Sequence, residues 1–403
     1  MKHQLLGLGL AAITLGAVTL YPSVHNAAVA LPAQVIAKPT APPVNQQRPR
    51  VDLVFVLDTT GSMEGLIEAA KDKVWSIATS MARAQPAPEI RVGLVAYRDR
   101  GDEYVTRVFD LTTDLDSMYA HLMDFKAAGG GDGPEAVNQG LQDAIERMSW
   151  NNQLSTYKVV FLVGDAPPHM DYQDDKKYPI TLALAKQRGI VVNTIQCGSD
   201  GATEQPWRAI AALGAGDFLH VEQNGSAVAI STPFDAKLAR LSAALDGTRL
   251  YYGSEAELAT KRAKTAATSK MEEKASAAIK ARRATFNASE SGAANLFGDK
   301  ELVSEISSGR VRLEDIRSHE LPRELQAMAP AAQAGVLKDQ AAKRDKLHKQ
   351  LTAVAERRHA YLKDKVAQSG GATDSLDAKL FGTLREQAKR VGGLELDKDG
   401  PAY

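Results

Sequence analysis

The sequence predicts an α/β fold: a doubly wound, mostly parallel six-stranded sheet with one antiparallel edge strand, followed by an α-helical C-terminal region. Three observations predict it. Six short, β-branched runs alternate mostly with segments of helical spacing between residues 51 and 221, the pattern of strands buried on both faces beneath helices. Two of the strands are joined only by a short stretch holding Arg100-Gly101-Asp102, which suits an antiparallel hairpin and not a helical crossover. Beyond about Gly253 the strand runs stop, and Ala, Lys, Glu and Arg dominate.

The elements follow in order. Val51–Leu57 is the first strand, and Ile90–Tyr97, Tyr104–Leu111, Tyr157–Val163, Ile190–Gln196 and Asp217–Val221 are the others. Ser62–Arg83 has Leu66, Ala69, Ala70, Val74, Ile77 and Met81 on one helical face, and such a stripe packs on a sheet. Leu115–Lys126, Pro134–Met148, Pro179–Arg188 and Glu204–Leu213 are the other helices of this part. Further on, Ala256–Ala284, Val336–Val366 and Ser375–Val391 have helical spacing, with Pro322 and Pro330 breaking the chain between them. Leu347, Leu351, Val354 and Tyr361 form a seam that Arg358 interrupts, which argues against a long coiled coil. These helices pack on each other or on a partner, or else form a solvated surface without a binding role.

The organisation is thus an N-terminal segment over residues 1–30, a Pro-rich linker over 31–50, an α/β domain over 51–250 and helices over 255–403. Lys2 and His3 precede an apolar run from Leu5 to about Tyr21, and Ala28-Val29-Ala30 fits a small-x-small cleavage pattern. This reads as a signal peptide cleaved near Ala30 and directs the chain to the periplasm or outside the cell. It leaves no membrane span after cleavage. The alternative is an uncleaved inner-membrane anchor, whose apolar run is slightly short of the ~20 residues a bilayer span needs. Pro39, Pro42, Pro43 and Pro49 suit an extended tether.

The net formal charge is +0, with 22 Lys+Arg against 27 Asp+Glu up to residue 254 and 27 against 22 beyond it. So small an asymmetry gives no support to nucleic-acid binding. Cys197 is the one cysteine, which excludes an intramolecular disulfide and a lipoprotein anchor. It closes a strand and reads as a small core residue.

In an open α/β sheet, ligands gather beyond the carboxyl ends of the strands. After the first strand stands Asp58-Thr59-Thr60-Gly61-Ser62, a carboxylate and two hydroxyls at alternate positions on a turn into a helix. Asp165 follows the fourth strand, and the loop Gly129-Gly130-Gly131-Asp132-Gly133-Pro134-Glu135 can bring Asp132 to the same rim. Oxygen-only donors of this kind suit a hard divalent cation such as Mg²⁺. Helix capping by Asp58 and Ser62 is the plainer alternative, but it leaves Asp132 and Asp165 unexplained. Glu135 reads as an ordinary acid in the first turn of a helix, with the metal's outer surroundings as its other role. His169, with no His or Cys neighbour, reads as a loop or packing residue before a ligand or base.

Asp58-x-Thr60-x-Ser62, the acidic loop and Asp165 together resemble the metal-ion-dependent adhesion site of von Willebrand factor A domains. The resemblance covers roughly residues 50–245. With Gly129–Ala136 and Gly164–His169 it is most similar to the branch found in α-kinase-linked and related bacterial proteins. It implies that Thr60 and Ser62 coordinate Mg²⁺, or another divalent cation such as Mn²⁺ or Ca²⁺, directly. Asp58 and Asp165 would act mostly through water, and an acidic residue of a partner protein would complete the shell. Asp132 departs from the pattern, standing where the family usually has threonine. A third acid should hold the cation more tightly and attract an acidic partner less.

Other motifs carry little. Gly131-x-Gly133-x-x-Ala136 fits a dinucleotide fingerprint but lacks the strand that must precede it. Residues 255–403 hold no strand-rich catalytic lobe. The sequence therefore predicts a binding protein of the cell envelope with no enzymatic activity. A metal-dependent enzyme using His169 or Glu135, and a structural protein with a stabilising metal, are the rival readings.

Overall fold

The computed structural model describes residues 48–131, 133–222, 230–368, 376–391, 394–396 and 400. The signal-peptide reading, most of the tether and Asp132 lie outside the described residues. In chain order, β1 (Arg50–Asp58) leads through a 3₁₀ turn to α1 (Glu64–Ala82), β2 (Glu89–Tyr97) and β3 (Thr106–Thr112). Next come α2 (Leu115–Asp124), α3 (Val137–Glu146), β4 (Tyr157–Gly164) and α4 (Tyr178–Gln187). Then β5 (Ile190–Cys197), α5 (Gly201–Leu213), β6 (Ala215–Val221) and α6 (Asp235–Asp246) follow.

The six strands lie in the order β3-β2-β1-β4-β5-β6. All neighbours are parallel except β2 and β3. This is the predicted doubly wound sheet with its antiparallel edge. The strand order reverses direction between β1 and β4, the place where such folds open a crevice at the strand ends. Alternation along β1 divides the core in two. Val51, Leu53 and Leu57 face the layer of α1 and α2, whereas Val54 and Val56 face α3, α4 and α5.

The C-terminal region contains α7 (Glu255–Lys274), α8 (Ala277–Asn287), α9 (Ala293–Phe297), α10 (Leu302–Ser307) and α11 (Arg323–Gln326). It ends in α12 (Pro330–Gln368) and α13 (Leu376–Val391). One predicted helix is two: Ala275 is extended, and the Ser276 hydroxyl accepts from the Ile279 amide to start α8. Helix α6 was not anticipated, since its apolar stripe is only Leu238, Leu241 and Leu245. Arg358 does not break the α12 seam by facing water. It is buried, and its Nε donates to Asp235 Oδ1 at 2.9 Å.

These helices pack on the α/β layers. Trp75 of α1 is fully buried, 5.8 Å from both Tyr119 of α2 and Phe286 of α8. Helix α13 returns to the sheet, where Leu380, Phe381 and Leu384 share a core with Tyr157, Phe161, Ile195 and Val221. Gln387 fixes its register there, accepting from the Tyr157 hydroxyl at 2.8 Å and donating to Asn193 at 2.7 Å. After α13, Glu395 exchanges backbone hydrogen bonds with Gln85 beyond α1. Among the described residues no helix is long and apolar enough to cross a membrane.

Candidate metal centre

The site grows from the carboxyl end of β1. Parallel pairing carries β1 to Asp58, opposite Tyr97, and the chain must then turn sharply into α1. Asp58 makes that turn itself. Its Oδ1 accepts from the Thr60 amide at 2.9 Å and from the Thr60 hydroxyl at 2.7 Å, a local side-chain turn of the Asx kind. The Thr60 hydroxyl lies 3.4 Å from the Ser62 hydroxyl. Asp58 and Thr60 are buried and Ser62 is exposed, so the group opens outward at Ser62. Neither Thr60 nor Met63 caps a helix with its side chain; Asp58 serves the turn, not the helix end.

Asp165 stands one residue past the end of β4, the strand beside β1, and its charge acts on Asp58. Burial pushes the Asp58 carboxyl up to about 7; the Thr60 bonds oppose this, the Asp165 charge adds to it, and the Tyr97 hydroxyl favours ionisation. The carboxylate at the adjoining strand end thus raises the cost of ionising Asp58, which a cation would relieve. Among the described residues no Lys or Arg pairs with Asp58.

The glycine loop closes over this turn. Its backbone runs beside the Asp58–Ser62 turn through Ala128 N to Thr59 O at 3.1 Å and Gly61 N to Gly129 O at 3.1 Å. Gly129 and Gly130 both have left-handed φ, 80° and 78°, which only glycine adopts freely. A Cβ on Gly130 would stand 2.9 Å from Glu135 Oε1 and 3.2 Å from Thr60 Cβ. Asp132 lies outside the described residues.

One feature departs from its sequence reading and two went unread. Glu135 is not in a helical first turn, because α3 starts at Val137. It is buried and bridges backbone to the segment after Asp165: its amide donates to Pro167 O and its carbonyl accepts from His169 N. Arg98, also buried, ties the site's loops together by donating to Thr59 O at 3.1 Å and Lys126 O at 2.8 Å. Asp102 accepts from the Gly130 amide at 3.0 Å and positions the glycine loop. A charged run directly after a buried strand, Arg98-Asp99 with Asp102, was the available signal.

His169 is a packing residue as expected. Its ring stacks on Tyr172 at 4.0 Å, with Nδ1 2.7 Å from Asp171 Oδ1 and Nε2 3.4 Å from Asp99 Oδ2. Cys197 is buried at the end of β5, as its strand position required. Among the described residues no three acidic, His or Cys side chains converge closely enough to hold a metal alone. Any centre here uses hydroxyls with the carboxylates.

An open α/β sheet with an acidic, hydroxyl-bearing turn at its switch point defines a class of binding domain. Residues 52–223 match the family model described as von Willebrand factor A domain, and this segment is a von Willebrand factor A domain. The chain is 31% identical over 121 residues to the alpha-protein kinase vwkA of Dictyostelium discoideum, a match covering 30% of this chain and 19% of that one. It is 39% identical over 97 residues to human von Willebrand factor A domain-containing protein 7, covering 24% and 10% of the two chains. Among solved structures it resembles proximal thread matrix protein 1 of the mussel byssus, a form with a zinc-occupied MIDAS motif. That likeness has 18% identity, covers 44% of this chain and 43% of that one, and has a TM-score of 0.35.

Proposed function

We propose that the chain is an exported, non-enzymatic binding protein of the cell envelope that holds a divalent cation, Mg²⁺ foremost, at Asp58, Thr60, Ser62 and Asp165, with Asp132 from the glycine loop. The observation that carries this reading is the state of Asp58. Its Oδ1 is satisfied by Thr60, but the carboxylate is fully buried beside the charge of Asp165, with no Lys or Arg paired to it among the described residues. A buried carboxylate left so is costly, and a cation beside it removes the cost. The donors are all hard oxygens, which fit Mg²⁺. The ion would supply a Lewis-acidic point of attachment, and the exposed side at Ser62 faces an incoming acidic residue of a partner protein.

The site offers little for catalysis, because His169 is packed between Tyr172, Asp99 and Asp171. The match to the alpha-kinase spans 19% of that protein. Crosslinking and capture from envelope extract, with Mg²⁺ and then EDTA, tests the reading. A partner retained only with Mg²⁺, and lost with Asp58→Ala, supports it; metal-independent capture contradicts it. A kinase and hydrolase screen of the pure chain with the same control tests the absence of catalysis. Amino-terminal sequencing of the exported protein tests cleavage near Ala30.

A further inference from the structure

Beneath the candidate centre lies a group that neither the fold nor the metal ligation accounts for. Tyr97 closes β2 and is fully buried, paired in register with Asp58. Its ring packs against α3 so closely that a Cβ on Gly140 would sit 3.1 Å from Tyr97 Cδ1. A phenylalanine would fill that space equally well. The hydroxyl is the anomaly: it is buried and has no hydrogen-bond partner among the described residues other than Asp58, on whose carboxyl it acts. A buried hydroxyl without such a partner would be costly, so its placement calls for an explanation.

Its surroundings give one. A Cβ on Gly164 would stand 2.5 Å from the Tyr97 hydroxyl and 3.0 Å from Asp58 Oδ2. The glycine at the end of β4 therefore leaves a gap that both atoms share. One is a donor and the other an acceptor, and neither has a different partner among the described residues. Burial first, and then the charges of Asp58, Asp165 and Glu135, keep the phenol protonated, hence a donor.

We infer that Tyr97 is the positioning residue of the cation site, donating its hydroxyl to Asp58 Oδ2 and fixing the carboxylate from below while Thr60 fixes it from above. This rests on the metal-site reading of Asp58. Groups that orient a ligand in this way typically contribute about 10–100-fold to metal affinity.

The test is Tyr97→Phe in the full chain, with Mg²⁺ as the probe. Calorimetry should show affinity reduced by about 10–100-fold, well beyond any loss of stability that urea unfolding in EDTA records. The tyrosine ultraviolet difference band induced by Mg²⁺ should vanish with the substitution. Wild-type affinity and an unaltered band in Tyr97→Phe overturn the inference alone. Equal losses of affinity and of metal-free stability mark a packing role and also overturn it. Absence of Mg²⁺ binding by the wild-type chain overturns both this inference and the reading beneath it.

Discussion

Arg283 of α8 grips Asp116 of α2 in a bidentate pair, Nε to Oδ1 at 2.7 Å and Nη2 to Oδ2 at 2.5 Å, with neither side chain exposed to solvent. The same guanidinium donates to Asp246 of α6 at 2.7 and 2.9 Å and to Ser242. One cation therefore locks the C-terminal helices to the helical layer of the von Willebrand factor A domain. Burial alone would raise the Asp116 carboxyl, but the Arg283 charge and hydrogen bonds outweigh it and hold it well below the usual carboxylate range. Arg283→Met leaves buried Asp116 without its paired cation and Asp246 with Arg249 alone, and should destabilise the chain by about 3–5 kcal/mol in urea unfolding. The sign with pH is fixed: the Asp116 contribution is complete above its unfolded value of 3.8 and is lost as pH falls below it. Asp116→Asn should flatten that acid limb.

Helix α13 comes from the far end of the chain, yet it covers one face of β4, β5 and β6. Removing residues 370–403 should expose Tyr157, Phe161 and Ile195, giving dye binding and a loss of cooperative unfolding. The milder Gln387→Leu strips Tyr157 and Asn193 of their partner, at a cost of about 1–3 kcal/mol. A truncation at residue 254 with full stability would contradict this packing.

The close approach at Gly164 makes a sharp steric prediction. Gly164→Ala would drive a methyl to within 2.5 Å of the Tyr97 hydroxyl and 3.0 Å of Asp58. The strand is held by β1 and β5 on either side, so the clash falls on the site. Mg²⁺ binding should be lost with the secondary structure retained, as read by calorimetry and circular dichroism.

The Asp58 carboxyl, pushed to about 7 by burial first and by Asp165 after it, should make Mg²⁺ binding pH-dependent. A cation must displace that proton, so apparent affinity should fall about tenfold per pH unit below 7 and level off above it. In the metal-free chain the sign runs the other way. The folded form keeps a proton that the unfolded form has lost above 3.8, so this group's stabilisation declines as pH rises from there through about 7. Added Mg²⁺ should cancel that decline in thermal melts.

The strands were legible because each is a short β-branched run, and the antiparallel edge because Arg100–Asp102 left no room for a crossover. The turn at Asp58, Thr60 and Ser62 was legible from spacing, and Asp165 from its position just past a strand. Glu135 was misread because Pro134 suggested a helix start, whereas the segment first bridges to Pro168 and turns helical only at Val137. Tyr97 and Arg98 were invisible as site residues, since their roles depend on the register between β1 and β2. The docking of α13 rests on Gln387 meeting Asn193 across 194 residues, a separation that periodicity does not reach. Arg283, Arg344 and Arg358 form buried pairs with Asp116, Glu301 and Asp235, partners too distant in sequence for spacing to reveal.

The central claim is that Asp58 and its turn hold a divalent cation. Titration calorimetry of the full chain with Mg²⁺ at pH 8, beside Asp58→Asn, tests it most directly. One saturable site in the wild type that Asp58→Asn abolishes, with unfolding in EDTA little changed, is the predicted result. No saturable binding, or equal binding by the variant, would contradict it.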